Sequence, residues 1–200
     1  RRENYQEGKS MSKSEAEIIL DLAKDRGALL FGEFQLSAGG TSNFYFDGRI
    51  ITLDPEAGYH VAKAILPILK ECNAQAIAGP TLGADPIVAS VSTVSHLEGH
   101  PVPGLIVRKE AKEHGGKRAI EGPMAELGAN ARIAVVDDAC TSAASLFHAI
   151  DAVEAAGHRV VKVITILDRD AGGSAELKRR GYDFVALLRA NEQGEIVPVS

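Results

Sequence analysis

At roughly 100–200 residues per domain, a chain of 200 residues is long enough for one unit with a sizeable core, and for two domains at most. Its 22 Lys and Arg against 27 Asp and Glu give a formal charge of −5, which argues against an electrostatic nucleic-acid binder because such proteins carry a basic excess. With 45% hydrophobic and 5% aromatic residues, no Trp and 20 Gly, the composition is globular, excludes a disordered or collagen-like chain and favours aliphatic packing over an aromatic stacking platform.

The opening Arg1 to Ser10 is polar, lacks an apolar stretch of the signal-peptide kind and stops just before Met11. Residues 1–11 are therefore set aside as an added leader, expected to be disordered, and 12–200 are read as one domain. Ser14 to Glu17 has the form of a capping box, with Ile18, Ile19 and Leu22 following at helical spacing and Gly27 ending the helix. Leu29 to Leu36 and Asn43 to Ile51 read as extended segments around Ala38-Gly39-Gly40, a small antiparallel unit forming a hood, mainly 28–52.

The core, 55–200, begins at Asp54-Pro55, which opens a helix carrying Val61, Ile65, Ile68 and Leu69 with a kink expected at Pro67. A strand, Ala76 to Ala78, follows, and Asp85-Pro86 repeats the helix-start signal. Gly104 to Val107, Ile133 to Val136, Val160 to Leu167 and Phe184 to Leu188 are apolar runs of strand length, with helices over Ser142 to Ala156 and Ser174 to Arg180 between the last three. Strands apolar on both faces alternating with helices predict an α/β fold, a central and mainly parallel sheet flanked by helices.

The segment most informative about chemistry is Ile133 to Ser145. A buried strand ends in Asp137 and Asp138, then come the hydroxyls of Thr141 and Ser142, then a helix. Helix-start amides with hydroxyls form an anion site, while two acids one step back accept hydrogen bonds from vicinal hydroxyls, which together suit a phosphorylated ribose. The competing reading makes the acids a strand terminus and Ser142 a helix cap. No Walker A loop and no Gly-x-Gly-x-x-Gly turn is present.

This strand, acidic pair and Thr/Ser loop resemble the PRPP-binding motif of type I phosphoribosyltransferases. Val107 to Gly115 with Ile120 to Gly122 is similar to the catalytic loop of the orotate phosphoribosyltransferase family. Phe31 to Gly39 with Ser42 to Asp47 resembles that family's hood, Gly79 to Pro86 its diphosphate loop and Leu167 to Arg169 its base-binding strand end, so the resemblance spans roughly Ser14 to Ala190. It implies transfer of phosphoribosyl from PRPP to orotate, giving orotidine 5'-monophosphate and diphosphate in pyrimidine biosynthesis. It also implies that Asp137 and Asp138 hold the ribose hydroxyls, Thr141, Ser142, Ala143, Ala144 and Ser145 the 5-phosphate, and Thr81, Leu82 and Gly83 the diphosphate. Arg169, Thr141 and Ser37 would face orotate, Arg108 would bind PRPP, and Lys109, Lys112, His114 and Asp138 would be catalytic. Mg²⁺ would be held mainly by the diphosphate of PRPP with no direct protein ligand. The loop 108–121 would reach the neighbouring site of a homodimer.

Four residues depart from the family pattern: Ala143 stands where glycine is usual, Ser37 replaces a lysine, and Thr81-Leu82 replaces a Tyr-Lys pair. They keep open an inactive PRPP- or nucleotide-binding homologue or regulator, and an enzyme for another base. Cys72 and Cys140 are too few for a disulfide scaffold or a four-cysteine zinc site, the remaining histidines lack metal-ligand spacing, and no apolar run has the length of a membrane helix. A cytoplasmic setting without membrane or nucleic-acid partners is the expectation. The acidic total conceals one local exception. Between Arg108 and Arg118 five cations face two acids, an excess of three that leaves the remainder at −8.

Overall fold

The structure is a computed structural model and describes residues 12–35, 41–110 and 119–199. Helix α1 (Glu15–Asp25) opens on the expected capping box: the Ser14 hydroxyl accepts from the Glu17 amide, and the Glu17 carboxylate accepts from the Ser14 amide at 2.7 Å. Strands β1 (Leu29–Gln35) and β2 (Thr41–Phe46) pair antiparallel as a separate two-stranded sheet. The sequence pattern carries the second strand to Ile51, but it stops at Phe46. There the Asp47 carboxylate accepts from the Arg49 amide at 3.1 Å and starts a short helix, α2 (Gly48–Thr52).

Helix α3 (Pro55–Glu71) has Asp54 as its N-cap and runs through Pro67 without ending. After β3 (Ala76–Pro80), helix α4 (Asp85–Leu97) departs from the expected start. Asp85 is its first helical residue and not the cap, which is Ala84, and one oxygen of its carboxylate accepts from the Thr81 hydroxyl at 2.8 Å. The chain continues through β4 (Gly104–Val107), β5 (Ile120–Glu121), β6 (Arg132–Cys140), α5 (Ala144–Ala155), β7 (Arg159–Asp168), α6 (Gly173–Arg179), β8 (Phe184–Ala190) and β9 (Ile196–Pro198).

The main sheet has the order β5-β4-β3-β6-β7-β8-β9, with a parallel centre from β4 to β8 and an antiparallel strand at each edge. Side-chain alternation along β6 divides the core in two. Ala134 and Val136 join the layer that includes residues of α1, α3 and α4, while Ile133 and Val135 join the layer containing Leu146, Ile150 and Val153 of α5. The chain leaves β3 for β4 on one side and returns to β6 on the other. That reversal opens a crevice beyond the carboxyl ends of β3 and β6, where open α/β sheets take their ligands. Among the described residues no helix is long and apolar enough to cross a membrane.

Leu146 is fully buried. Leu146→Ala is expected to cost about 2–5 kcal/mol in denaturant unfolding, against about 1 kcal/mol for removal of the cap in Ser14→Ala.

Candidate active site

Asp137 and Asp138 do not follow the strand, as the sequence pattern suggests; they lie within it. β6 runs on through Ala139 and Cys140, which pair with Leu167 and Asp168 of β7. Asp137 Oδ2 accepts from the Ser145 hydroxyl at 2.6 Å and its Oδ1 from the Asp138 amide at 2.9 Å. Asp138 is met from the side of α2, where a Cβ on Gly48 would lie 2.6 Å from its own Cβ. Only glycine lets the backbone come that close to the carboxylate.

A cavity of about 410 Å³ gathers Asp137, Asp138 and Ser145 with Thr81, Leu82, Gly83 and Lys109. Tyr45, Phe46, Asp47, Arg49 and Pro80 complete its wall; sequence reasoning named none of them as a site residue, although Tyr45 to Asp47 fall in the hood segment and Pro80 in the diphosphate loop. Arg49 adds a cation. Its Nε and Nη2 donate to the two Asp47 oxygens at 3.0 Å each, and this pairing holds Asp47 below the usual carboxylate range. The available signal was the Asp47-Gly48-Arg49 run directly after an aromatic strand.

The other expected residues lie around this centre. Thr141, Ser142, Ala144 and Ser145 are exposed, and α5 starts without a side-chain cap, so Ser142 does not have the capping role of the competing reading. Arg169 is half-buried, with its guanidinium 5.2 Å from the Phe44 ring centroid and Nη2 3.4 Å from the Phe46 carbonyl it donates to. Arg108 sits outside the central cavity, its Nη1 3.3 Å from a Glu121 oxygen, and lines a neighbouring cavity with Thr81 and Lys109. Ser37, Lys112 and His114 lie outside the described residues, as do the leader 1–11 and most of the cationic segment.

Burial pushes the Asp137 carboxyl up to about 7 from an ordinary 3.8, with Asp138 adding to the rise and the Ser145 hydroxyl opposing it. Asp138 is raised too, chiefly by burial and further by Asp47, against a smaller pull from Arg49. Burial also pushes the Cys140 thiol up to about 12, an unreactive state at neutral pH. His60 pairs with Glu15 at 2.7 Å and His158 Nδ1 accepts from the Ala131 amide at 3.2 Å, both structural contacts.

The chain matches no protein-family profile. The orotate phosphoribosyltransferase of a Nostoc species is 43% identical over 157 residues, covering 78% of this chain and 75% of that protein. That of Aquifex aeolicus is 37% identical over 180 residues, covering 89% and 97%. This chain belongs to the orotate phosphoribosyltransferase family. Crystal structures of the Mycobacterium tuberculosis orotate phosphoribosyltransferase agree: one superposes with a TM-score of 0.75 at 30% identity, covering 88% of this chain and 97% of the other. Another, in complex with PRPP, gives 0.70 at 26% identity over 94% and 97%. An adenine phosphoribosyltransferase from Thermoanaerobacter pseudethanolicus, at 0.59 and 16% identity over 85% and 99%, shares the fold.

Ala143, the departure from the family's phosphate loop, has a structural answer. Its backbone is left-handed at φ 62° and ψ 16°, as the family's glycine would allow, and its methyl is buried in the α5 core layer. The methyl thus faces the core layer and not the exposed side of the loop. A left-handed L-residue costs about 1–2 kcal/mol, offset by about 0.8 for the buried methyl and about 0.4–1 for the stiffer unfolded chain. Ala143→Gly should accordingly shift unfolding stability by less than about 1 kcal/mol and leave the KM for PRPP within about threefold, measured by melting and steady-state kinetics.

The raised Asp137 pKa fixes a sign. Between about 4 and about 7 the folded protein holds a proton that the unfolded chain has released, so this group's stabilising contribution is present below 4 and lost as pH rises through 7. The difference in melting temperature between Asp137→Asn and the ligand-free parent should shift in favour of the variant from pH 5 to pH 8. A difference that stays constant with pH would contradict the assignment.

Proposed function

We propose that this chain is an orotate phosphoribosyltransferase that transfers the phosphoribosyl group of PRPP to orotate, releasing diphosphate and forming orotidine 5'-monophosphate. The observation that carries the reading is the single cavity joining the acidic pair to the diphosphate-loop residues and two cations, Lys109 and Arg49, in a chain of this family. Residues 12–200 act as one domain, with the two-stranded unit as a hood over the core.

Asp137 and Asp138 accept hydrogen bonds from the ribose hydroxyls. The amides and hydroxyls of Thr141 to Ser145 hold the 5-phosphate, and the backbone of Thr81 to Gly83 faces the diphosphate. As the bond from the anomeric carbon to diphosphate oxygen breaks, positive charge grows on the ribose beside Asp138 and negative charge on the leaving group beside Lys109 and Arg49. The pyrimidine nitrogen of orotate then supplies the electron pair for the new bond and gives up its proton, while diphosphate departs with the electrons of the old bond and can take up that proton. Arg169 pairs with the orotate carboxylate, joined by Thr141 and Ser37. Arg108, Lys112 and His114 add cations from the loop 108–121, which reaches across a homodimer. Closure there excludes water that would hydrolyse the ribosyl cation.

Among the described residues no cluster of three or more His, Cys, Asp or Glu is placed to hold a metal. Asp137 and Asp138 are hard oxygen donors, the kind Mg²⁺ takes one or two of beside substrate phosphates, so the site fits a Mg²⁺ carried mainly by the diphosphate. When bound, Mg²⁺ offsets the charge of the departing diphosphate. Two free cysteines suit a reducing cytoplasmic setting.

Loss of orotate absorbance with PRPP and Mg²⁺ is expected, with no turnover of adenine or hypoxanthine. A folded protein inert toward orotate would overturn the proposal. Arg169→Gln should raise the KM for orotate about tenfold or more and that for PRPP much less.

A further inference from the structure

The turn carrying Arg169 and the loop after β6 are joined by two backbone hydrogen bonds. The Arg169 amide donates to the Cys140 carbonyl at 3.0 Å and the Gly173 amide to the Thr141 carbonyl at 2.9 Å. Gly173 packs directly against the loop backbone. A Cβ there would lie 2.5 Å from the Thr141 carbonyl oxygen, 2.7 Å from the Ala143 nitrogen and 2.8 Å from the Ser142 carbonyl carbon. All three are backbone atoms, so no side-chain rotation relieves the clash and either the loop or the turn must move. Gly172 next to it differs in kind. Its φ of 94° demands glycine for conformation, yet nothing lies within 4 Å of where its Cβ would stand.

We propose that Gly173 is a positioning residue: it locks the 141–145 loop against the 169–173 turn, so that the 5-phosphate site and the base site keep one fixed separation. The inference rests on the PRPP and orotate reading above. Ribosyl transfer depends on that separation, because the attacking nitrogen and the anomeric carbon must be held near van der Waals contact, and a misplacement of about 1 Å can cost about 100-fold in rate. Two ligands gripped by separate segments reach that geometry only when the segments move as one body.

The neighbouring glycines supply a matched pair of variants. Gly173→Ala should raise the KM for PRPP about tenfold or more and lower kcat, in excess of any change in melting temperature. Gly172→Ala should lower the melting temperature through its strained φ and leave both KM values within about twofold. Wild-type KM values in Gly173→Ala, or an equal rise in Gly172→Ala, would overturn the proposal. Should Gly173→Ala fail to fold, amide exchange of the wild-type protein decides. Saturating PRPP with Mg²⁺ should slow exchange at the Arg169 and Gly173 amides together, by about tenfold or more, and no protection at either would refute the coupling. That measurement needs PRPP binding alone, so a wild-type protein that fails to turn over orotate would defeat the orotate reading while leaving this one to be judged by exchange.

Discussion

Two carboxylates held largely out of water inside a parallel sheet set the conditions for everything around them. Burying a carboxylate without full compensation is costly, and the partners recorded for Asp137 are a hydroxyl and an amide, not a cation. Burial raises both carboxyls, Asp137 up to about 7, so the cost is met in part by holding a proton there. A ligand that brings two adjacent hydroxyls supplies hydrogen-bond donors that the protein itself provides sparingly. On the proposed reading, binding of such a ligand draws on a cost already present in the free protein, a form of preorganisation that costs native stability.

The sheet order decides where such a pair can sit. β6 is flanked by β3 and β7, and the reversal between β3 and β6 is the place where the strand ends are left uncovered by a crossover. Every segment that reaches the pair must approach closely over a short path. Gly48 on α2 and Gly173 at the start of α6 meet this requirement by having no side chain where one would strike a carboxylate or the loop backbone. Ala143 meets it differently, turning its methyl into the core while its backbone accepts a left-handed turn. The site is thus assembled from close backbone contacts more than from side-chain networks, and single added methyl groups are its sensitive test.

Much of this was legible in the sequence, for identifiable reasons. Long apolar runs and the capping box at Ser14 act locally, and the fold follows them closely. The acids, hydroxyls and helix start of 137–145 were legible because chemistry needs them adjacent in the chain. What escaped is decided by one residue or by distant partners. Gly48 to Ile51 contains Ile50 and Ile51 and reads as strand, until the single Asp47 cap turns it into helix. β5 and β9 are two and three residues long, too short for a period to show. Asp85 lies one residue inside the helix it was expected to cap, with Thr81, four residues back, donating to its carboxylate. The direction of the Ala143 methyl is a tertiary fact with no local signal. Lys112, His114 and Ser37 were reached only through resemblance to the family.

Charge placement completes the physical picture. An acidic chain that handles a polyanion needs positive potential confined to one spot, and the cations around the acidic pair are held there at low net field. Arg49 is neutralised by Asp47, Arg108 lies against Glu121, and Arg169 is half-buried where burial lowers its pKa and Asp138 raises it. Pairing of this kind keeps guanidinium groups ordered and near the cavity without a large standing repulsion in the free protein. On the proposed reading, Arg49 and Arg108 turn from Asp47 and Glu121 to an incoming diphosphate, an exchange that costs less than ordering long side chains from solvent would. The net charge of −5 and the phosphate chemistry are therefore compatible: the acids that make the chain negative include those that hold its few site cations in position.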